Sequence, residues 1–134
     1  MNPFKKKVEL KMSKSFPEIT QAIQIYFDGL YEGNIEKLAS IFHEDCHLFS
    51  ISDNFLNWSR DKWLEIVSNR DSPAKLGLER HDKIIFIDLA DSNTAVAKVQ
   101  LAIPPRYFTD YLSLIRVNNN WQIISKTFRT EVHC

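Results

Sequence analysis

The spacing of the apolar residues changes along the chain from a helical period to a strand period, and this change restricts the possible folds more than any other feature. Up to Pro73 the apolar side chains mostly recur every three or four residues, as they do along one face of an α-helix. From Leu78 onward, runs rich in β-branched and aromatic residues alternate with turn signals, as in β-strands. Helices followed by an antiparallel meander predict an α+β fold, with helices on one face of the sheet.

Three helices and a short strand are predicted before residue 73. The first helix ends at a glycine, and the next two begin at residues whose side-chain oxygen can cap a helix. The residues that start, cap or stop these helices are Ser15 with Pro17, Gly33, Asn34, Ser59 and Pro73. A short strand over residues 47–52 separates the second helix from the third. Residues 1–14 are expected to be an N-terminal extension, either ordered or disordered, and residues 15–134 a single domain, because 134 residues that are 44% hydrophobic suit one core.

Four β-segments are predicted in the second half, over residues 78–89, 94–103, 107–117 and 121–132. The turn signals between them are Asp91-Ser92-Asn93, Pro104-Pro105 and Asn118-Asn119-Asn120. Because connections this short join antiparallel neighbours, the four strands are expected to form one meander.

Composition and charge exclude several classes of function. Lysine plus arginine number 17 and aspartate plus glutamate 17, so the zero net charge gives no reason to expect nucleic acid or an acidic membrane as a partner. The two cysteines argue against a disulfide scaffold and favour the cytoplasm, and no apolar run suits a signal peptide or a membrane span. Three glycines are too few for a glycine-rich phosphate loop.

Two segments carry a resemblance to a known family. "AIQIYFDGLYEGNIEKLASIFHEDCHLF", residues 22–49, resembles the helical half of the NTF2-like superfamily, which includes ketosteroid isomerases, SnoaL-like cyclases and scytalone dehydratase. "TDYLSLIRVNNNWQIISKTF", residues 109–128, resembles its final hairpin, in particular that of the lumazine-binding branch. The resemblance implies a cone-shaped, cystatin-like fold in which a strongly bent, mainly antiparallel sheet wraps against N-terminal helices around an apolar cavity. It also implies a homodimer formed through the sheet.

Three polar positions of ketosteroid isomerases can be carried over onto this sequence. The resemblance places Tyr26 and Asp110 at the two positions that donate hydrogen bonds to a developing enolate oxygen. A carboxyl group in an apolar cavity can stay protonated and act as a donor, because desolvation disfavours its charged form. The base position falls on Ser50, and a serine hydroxyl without a neighbouring base cannot accept a carbon-bound proton. His47 and Asp53 lie out of phase with Ser50, so either would replace it only if the strand bulged.

Further cavity residues follow from strand alternation and from the family pattern. Lys126 is the most informative, because a lysine beside an apolar cavity attracts an anionic or carbonyl-bearing ligand, and desolvation moves its pKa toward that of a useful base. Beside Asp110, however, an ion pair that keeps both groups charged is the simplest arrangement. The residues expected to bind a ligand are Tyr26, Ser50, Trp63, Phe108, Asp110, Leu112, Ile124, Lys126 and Phe128. Of these, Tyr26 and Asp110 are the candidate catalytic residues.

Each candidate also has a purely structural explanation. Tyr26 is equally consistent with a core tyrosine whose hydroxyl bonds a neighbouring strand, and Asp110 with an exposed strand residue or a cap. Trp58 and Trp63 flank the start of the third helix and suit either a cavity lid or the core. The cluster "HEDCH", residues 43–47, looks metal-like, but a helix end followed at once by a strand points its side chains apart and a fourth ligand is missing. No metal and no cofactor are expected.

Three functions remain open from the sequence. The first is an NTF2-like, ketosteroid isomerase-related protein that binds a small, mainly apolar or heteroaromatic molecule in the cavity. The second is a cofactor-free isomerase or lyase acting on a carbonyl substrate, which the missing base disfavours. The third is a scaffolding dimer, which predicts a filled cavity and an apolar outer sheet. The fold alone does not choose among them.

Overall fold

A computed structural model describes residues 3–133, with side chains from residue 14 onward. The helices are α1 (Pro3–Glu32), α2 (Ile35–Ile41) and α3 (Arg60–Ser68). The strands are β1 (Phe42–Ile51), β2 (Phe55–Ser59), β3 (Asp82–Leu89), β4 (Thr94–Ile103), β5 (Arg106–Val117) and β6 (Asn120–Val132). Helices packed on one sheet confirm the predicted α+β class.

The first helix begins earlier than the sequence predicts. Ser15 and Pro17 predict a start near residue 15, but α1 begins at Pro3 and contains Pro17. A proline inside a helix removes one hydrogen bond and crowds the carbonyl one turn earlier, but the lysines, leucine, glutamate and methionine before Pro17 are good helix formers, and the helix continues through it. Part of the predicted extension over residues 1–14 therefore belongs to α1. Residues 1, 2 and 134 lie outside the described residues.

Local side-chain chemistry fixes the ends of the other helices as predicted. Asn34 and Ser59 each accept a hydrogen bond from a backbone N–H of the first turn, over 3.1 and 3.2 Å. Between α1 and α2, Gly33 adopts a φ of 67°, which an L side chain rarely does. A Cβ atom at this position would also lie 3.0 Å from Cβ of Ser72. The tight turn between the first two helices therefore requires glycine.

The six strands form one open, mixed sheet in the order β2-β1-β6-β5-β4-β3. The four strands from β3 to β6 form the predicted antiparallel meander. Strand β1 pairs with β6 in parallel, and β2, which was not predicted, pairs with β1 at the edge. Asn118 and Asn119 have positive φ angles of 50° and 66°, which suit a two-residue hairpin loop between β5 and β6. In this strand order, β6 and β5 are the two central strands of the sheet.

The core lies between the helices and the sheet, and burial of its apolar side chains stabilises the fold. The most deeply buried apolar residues include Ile19, Ile23, Leu38, Phe42, Leu48, Val99, Leu112, Leu114 and Ile123. Two charged residues share this interior, Asp110 and Lys126. No helix of the described residues is long and apolar enough to cross a membrane. These two buried charges indicate the position of the candidate functional site.

Candidate functional site

Tyr26, Asp110 and Lys126 meet inside the core, although they are far apart in sequence. They come from α1, β5 and β6 respectively. Leu112 lies opposite Lys126 in the β5–β6 ladder, and Asp110 shares its face of β5, so the two charged residues approach each other across adjacent strands. Tyr26 and Asp110 are 0% exposed and Lys126 is 6% exposed. The structure therefore brings the two candidate catalytic residues together with the lysine.

The three residues form a chain of hydrogen bonds, in which Lys126 donates to Tyr26 and Tyr26 donates to Asp110. The Lys126 ammonium donates to Tyr26 Oη over 2.7 Å, and the Tyr26 hydroxyl donates to Asp110 Oδ2 over 2.5 Å. Lys126 Nζ and Asp110 Oδ2 are 3.7 Å apart, so the tyrosine mediates most of the ion pair. Asp110 Oδ1 is buried and has no hydrogen-bond partner among the described residues. The carboxylate therefore depends on Tyr26 and Lys126 for its stabilisation.

Burial shifts the protonation equilibria around this group. Desolvation, followed by the charge of Asp110, raises the pKa of the Tyr26 hydroxyl well above its ordinary value, so the phenol stays neutral. Desolvation lowers the pKa of Lys126, while the charge of Asp110 acts in the opposite direction. Burial also raises the pKa of the nearby Cys46 thiol to about 11, so this residue is not a nucleophilic thiolate at neutral pH. With Asp110 as its counter-ion, Lys126 is the one cation in the polar group.

Aromatic rings surround the ammonium of Lys126. Its Nζ lies 5.1, 4.7 and 5.2 Å from the ring centroids of Tyr26, Trp63 and Phe128. Cation–π attraction to these rings offsets part of the cost of desolvation. Within the described residues Lys126 donates its hydrogen bond to Tyr26, and an ammonium has three N–H donors. Lys126 therefore keeps donor capacity for a ligand.

A cavity of about 370 Å³ opens beside this lysine. Its volume falls in the range of small-molecule sites, roughly 300–1,000 Å³. The wall is mostly apolar and aromatic, and it consists of Tyr26, Leu30, Leu56, Trp58, Trp63, Ile66, Arg70, Leu101, Ile103, Arg106, Phe108, Lys126, Phe128 and Thr130. Asp110 is absent from this wall and lies behind Tyr26, to which it is bonded. A ligand in the cavity would meet the lysine and the tyrosine before the aspartate.

The residues predicted to bind a ligand divide into two groups. Those in the wall are Tyr26, Trp63, Phe108, Lys126 and Phe128. Besides Asp110, three predicted residues lie outside it: Ser50, Leu112 and Ile124. The Ser50 hydroxyl donates to the carbonyl oxygen of Phe128 over 2.6 Å, which ties β1 to β6. Leu112 is entirely buried in the core. Ser50 and Leu112 are thus occupied by packing and sheet contacts.

A β-bulge explains the position of Ile124. The β5–β6 register shifts between Ser113 and Leu114, and this shift leaves Ile124 without a residue opposite. A bulge reverses the alternation of side chains along a strand. Ile123 and Lys126 are consequently both buried, although an odd and an even position of a regular strand face opposite sides. Alternation counted from Lys126 places Ile124 inside, whereas the bulge turns Ile123 inward instead.

Within the described residues, no carboxylate or imidazole of the cavity wall replaces the base that ketosteroid isomerases carry at the position of Ser50. His47 is exposed and its Nδ1 lies 2.7 Å from Asn57 Oδ1, and Asp53 is exposed at a turn. The cavity wall contains no aspartate, glutamate or histidine. The arrangement can therefore bind and polarise a carbonyl oxygen through Lys126, but carbon-bound protons meet no carboxylate or imidazole within the wall.

The segment "HEDCH" does not form a metal centre. It lies in β1, where Cys46 is buried and the next residue, His47, is exposed, so the two side chains point to opposite faces. Within the described residues, no group of three or more histidine, cysteine, aspartate or glutamate side chains could hold a metal ion.

Two arginines of the wall have no counterpart among the predicted residues. Arg70 follows the end of α3, and Arg106 begins β5 directly after Pro105. Residues at the ends of elements follow neither the helical nor the strand period, so periodicity gives no information about where they point. The sequence gives one indication of these two arginines: each follows a predicted end of an element, Arg70 after the third helix and Arg106 after the Pro104-Pro105 turn.

A larger hollow of about 540 Å³ lies elsewhere, near the start of β3. Its lining includes the exposed residues Arg80, His81, Lys83 and Glu131. Unlike the cavity at Lys126, this hollow is lined mostly by exposed residues and contains none of the three buried polar side chains. The smaller cavity is therefore the candidate site.

Comparison with known families agrees with this geometry. The family model described as "Putative lumazine-binding" matches residues 14–129. The chain belongs to this family. The matched range extends from α1 into β6, so it contains Tyr26, Asp110 and Lys126 together with the sheet that positions them.

Individual proteins resemble this chain at low sequence identity. The aldolase FrzH of Cladobotryum sp is 22% identical over 121 residues, which cover 88% of this chain and 93% of that protein. An NTF2-like protein of unknown function from Silicibacter pomeroyi is 19% identical, with a TM-score of 0.80 over 90% of this chain and 98% of that chain. A similar protein from Methylobacillus flagellatus is 24% identical, with a TM-score of 0.76 over 89% and 94%. The fold is NTF2-like, as the resemblance implied.

Proposed function

We propose that the protein binds a small, mainly apolar or heteroaromatic carbonyl compound in the cavity, with the carbonyl oxygen accepting a hydrogen bond from Lys126. The observation that carries this proposal is an ammonium with spare donor capacity in an aromatic wall, beside about 370 Å³ of space. Burying an ammonium is costly, and an ion pair in the core often only balances this cost, so packing alone does not explain why Lys126 lies here.

The polar group also explains how Lys126 is held ready for a ligand. Tyr26 fixes its position through one hydrogen bond, and Asp110 supplies the compensating charge from behind the tyrosine. Neither neighbour needs to move when a carbonyl oxygen approaches the remaining N–H groups. Such preorganisation reduces the cost of binding.

A second candidate function is a cofactor-free reaction of the carbonyl ligand, of isomerase or lyase type. Two observations favour it: Lys126 can stabilise a developing enolate oxygen, and FrzH, a relative at 22% identity, is described as an aldolase. The absence of a carboxylate or imidazole from the wall counts against it. In this reading the neutral amine form of Lys126, which desolvation favours, would take the carbon-bound proton, and the ammonium so formed would donate a hydrogen bond to the enolate oxygen. Binding is therefore the first proposal.

The third possibility, a scaffolding dimer, predicts a filled cavity. The volume at Lys126 favours a ligand site over this alternative. A homodimer through the outer sheet face and a cytoplasmic location both stay predictions, and they are compatible with ligand binding. Exposed aromatic residues on the sheet, Phe86 and Tyr111, support the choice of that face.

A pair of matched probes tests the role of Lys126. One is a naphthalene bearing an acetyl group, and the other carries an ethyl group in its place and lacks the oxygen. Because a hydrogen bond to a charged donor contributes about 1.5–3 kcal/mol, the acetyl compound should bind roughly 10–100 times more tightly. Trp58 and Trp63 line the cavity, so quenching of tryptophan fluorescence reports the binding.

The variant Lys126→Met should remove the preference for the acetyl compound while keeping an apolar wall. Lys98→Met serves as the matched control, because Lys98 lies on β4 outside the cavity wall, and it should leave the preference unchanged. Failure of both probes to bind would contradict the proposed function. Exchange of the acetyl protons in heavy water, lost in Lys126→Met, would instead identify an enzyme.

A further inference from the structure

The exposure of the cavity wall changes from its bottom to its rim. Lys126, Tyr26 and Trp63 are buried, and most other wall residues are intermediate. Arg70 and Arg106 are the wall residues that are exposed, so they lie where the cavity meets solvent. A ligand that reaches Lys126 therefore has its outer end beside two guanidinium groups.

These two guanidinium groups have no acidic partner among the described residues. Each takes part in no ion pair and no side-chain hydrogen bond there, in contrast to Arg60, Arg80 and Arg129, which all pair with carboxylates. The acid next to Arg70 in sequence, Asp71, is bonded to Lys75 over 2.9 Å. The rim thus carries two unpaired positive charges on a chain whose net charge is zero.

The positive charges also reinforce one another. Among the described residues that form the wall are Arg70, Arg106 and Lys126 but no acidic side chain, and Asp110, the counter-ion of Lys126, is already engaged by Tyr26. Crowding by protein atoms lowers the pKa of Arg70, and the charge of Arg106 acts in the same direction. The guanidinium of Arg70 nevertheless stays charged, because arginine does not lose its proton in proteins. A cleft with walls of one sign and low dielectric concentrates counter-ions.

We infer that the ligand is an organic anion: an apolar or aromatic carbonyl compound whose carboxylate lies between Arg70 and Arg106 while its carbonyl oxygen reaches Lys126. This inference rests on the proposed binding function and names the chemical class of its ligand. Planar guanidinium groups bind carboxylates through paired hydrogen bonds, which suits a rim that must orient an elongated molecule. Thr130, also in the wall, adds a hydroxyl donor.

A second pair of probes tests this assignment. Both are naphthalenes with an acetyl group at one end; the other end carries a carboxylate in one compound and a primary amide in the other. The carboxylate should bind about tenfold more tightly, because its hydrogen bonds to the rim are charge-assisted. Raising the salt concentration should reduce this preference, since the rim charges are exposed to solvent.

The variants Arg70→Gln and Arg106→Gln should each reduce the preference for the carboxylate, and together they should abolish it. Arg129→Gln is the matched control: this exposed arginine lies beside Thr130 on β6 but is absent from the wall, so its loss should change nothing. Equal binding of both compounds to the wild-type protein, with no effect of the two substitutions, would contradict the inference of an anionic ligand but leave the proposed binding function standing. Lack of binding by either compound would overturn the proposed function with it.

Discussion

The interior has two ends that are equally buried but chemically opposite. At the apolar end, Leu38, Leu114 and Ile123 are at most 1% exposed and pack among other hydrocarbon side chains. At the cavity end, Tyr26 and Asp110 are 0% exposed and are joined to Lys126 by hydrogen bonds. Along β5 the change from one end to the other occurs between Leu112 and Asp110.

The difference teaches that burial alone does not reveal what a core residue contributes. Apolar side chains gain about 25 cal/mol for each Å² removed from water. Buried charges lose several kcal/mol per ion through desolvation, and their mutual attraction often only balances this loss. The apolar end thus stabilises the protein, whereas the cavity end is explained better by what it binds.

The largest effect on stability is expected from Asp110→Ala. This change leaves Lys126 buried without its counter-ion, and the free energy of unfolding should fall by about 3–5 kcal/mol near neutral pH. Leu112→Ala is the matched control, because Leu112 is as buried as Asp110 and lies on the same face of β5. It should lower the free energy of unfolding by about 2–5 kcal/mol, because the lost side chain leaves a cavity in the core. Urea unfolding measures both.

The pH dependence of the unfolding free energy distinguishes the loss in Asp110→Ala from the loss in Leu112→Ala. Without Asp110, nothing in the ion pair opposes the desolvation that lowers the pKa of Lys126. The unfolded state then binds more protons than the folded state below the ordinary lysine pKa, so stability rises with pH in this window. The deficit of Asp110→Ala should shrink as the pH rises toward the ordinary lysine pKa, while that of Leu112→Ala stays constant. A deficit of Asp110→Ala that did not change with pH would contradict an uncompensated ammonium.

A smaller effect on stability is expected when the whole ion pair is replaced. The double variant Asp110→Leu with Lys126→Met should be as stable as the wild type, or up to about 4 kcal/mol more stable, because no buried charge remains. It should also lose the preference for the acetyl probe. If the double variant were less stable than both single variants, the polar group would be a requirement of the fold, and the distinction between the two ends would fail.

The smallest effect is expected from Ser50→Ala, outside the cavity wall. The hydroxyl donates to the Phe128 carbonyl over 2.6 Å, so its loss should cost about 0.5–1.5 kcal/mol. Affinity for the acetyl probe should stay within about twofold of the wild-type value, since a contact between β1 and β6 does not reach the ligand. A large loss of affinity at unchanged stability would bring Ser50 back into the site.

Local sequence chemistry predicts much of this fold. The Asn34 and Ser59 caps, the Gly33 turn and the asparagine-rich hairpin depend on neighbouring residues, and each is present in the structure. The parallel pairing of β1 with β6 depends on residues far apart in sequence, and no local pattern indicates it. The helical residues before Pro17 do not follow from the sequence pattern, because a proline usually indicates the first turn of a helix, whereas α1 begins at Pro3.

The candidate site is less predictable, for reasons that differ between residues. Resemblance and alternation identify Tyr26, Asp110 and Lys126, because each lies in a regular element facing the core. The bulge at Ile124 changes the alternation, and a single inserted residue leaves no mark on composition. Arg106 lies where a strand begins, so no periodicity fixes its direction.

The central position of β6 has a consequence for the order of events during synthesis. Leu48 on β1 pairs with Lys126 on β6, so two neighbours in the sheet are separated by most of the chain. Pairings of such long range are slow to form, because the intervening chain must first be ordered. Until β6 has been synthesised, the strands made before it lack both this partner and the lysine. A core that closed over Asp110 before β6 paired would bury the carboxylate without its counter-ion, so burial of Asp110 becomes favourable only once Lys126 is in place.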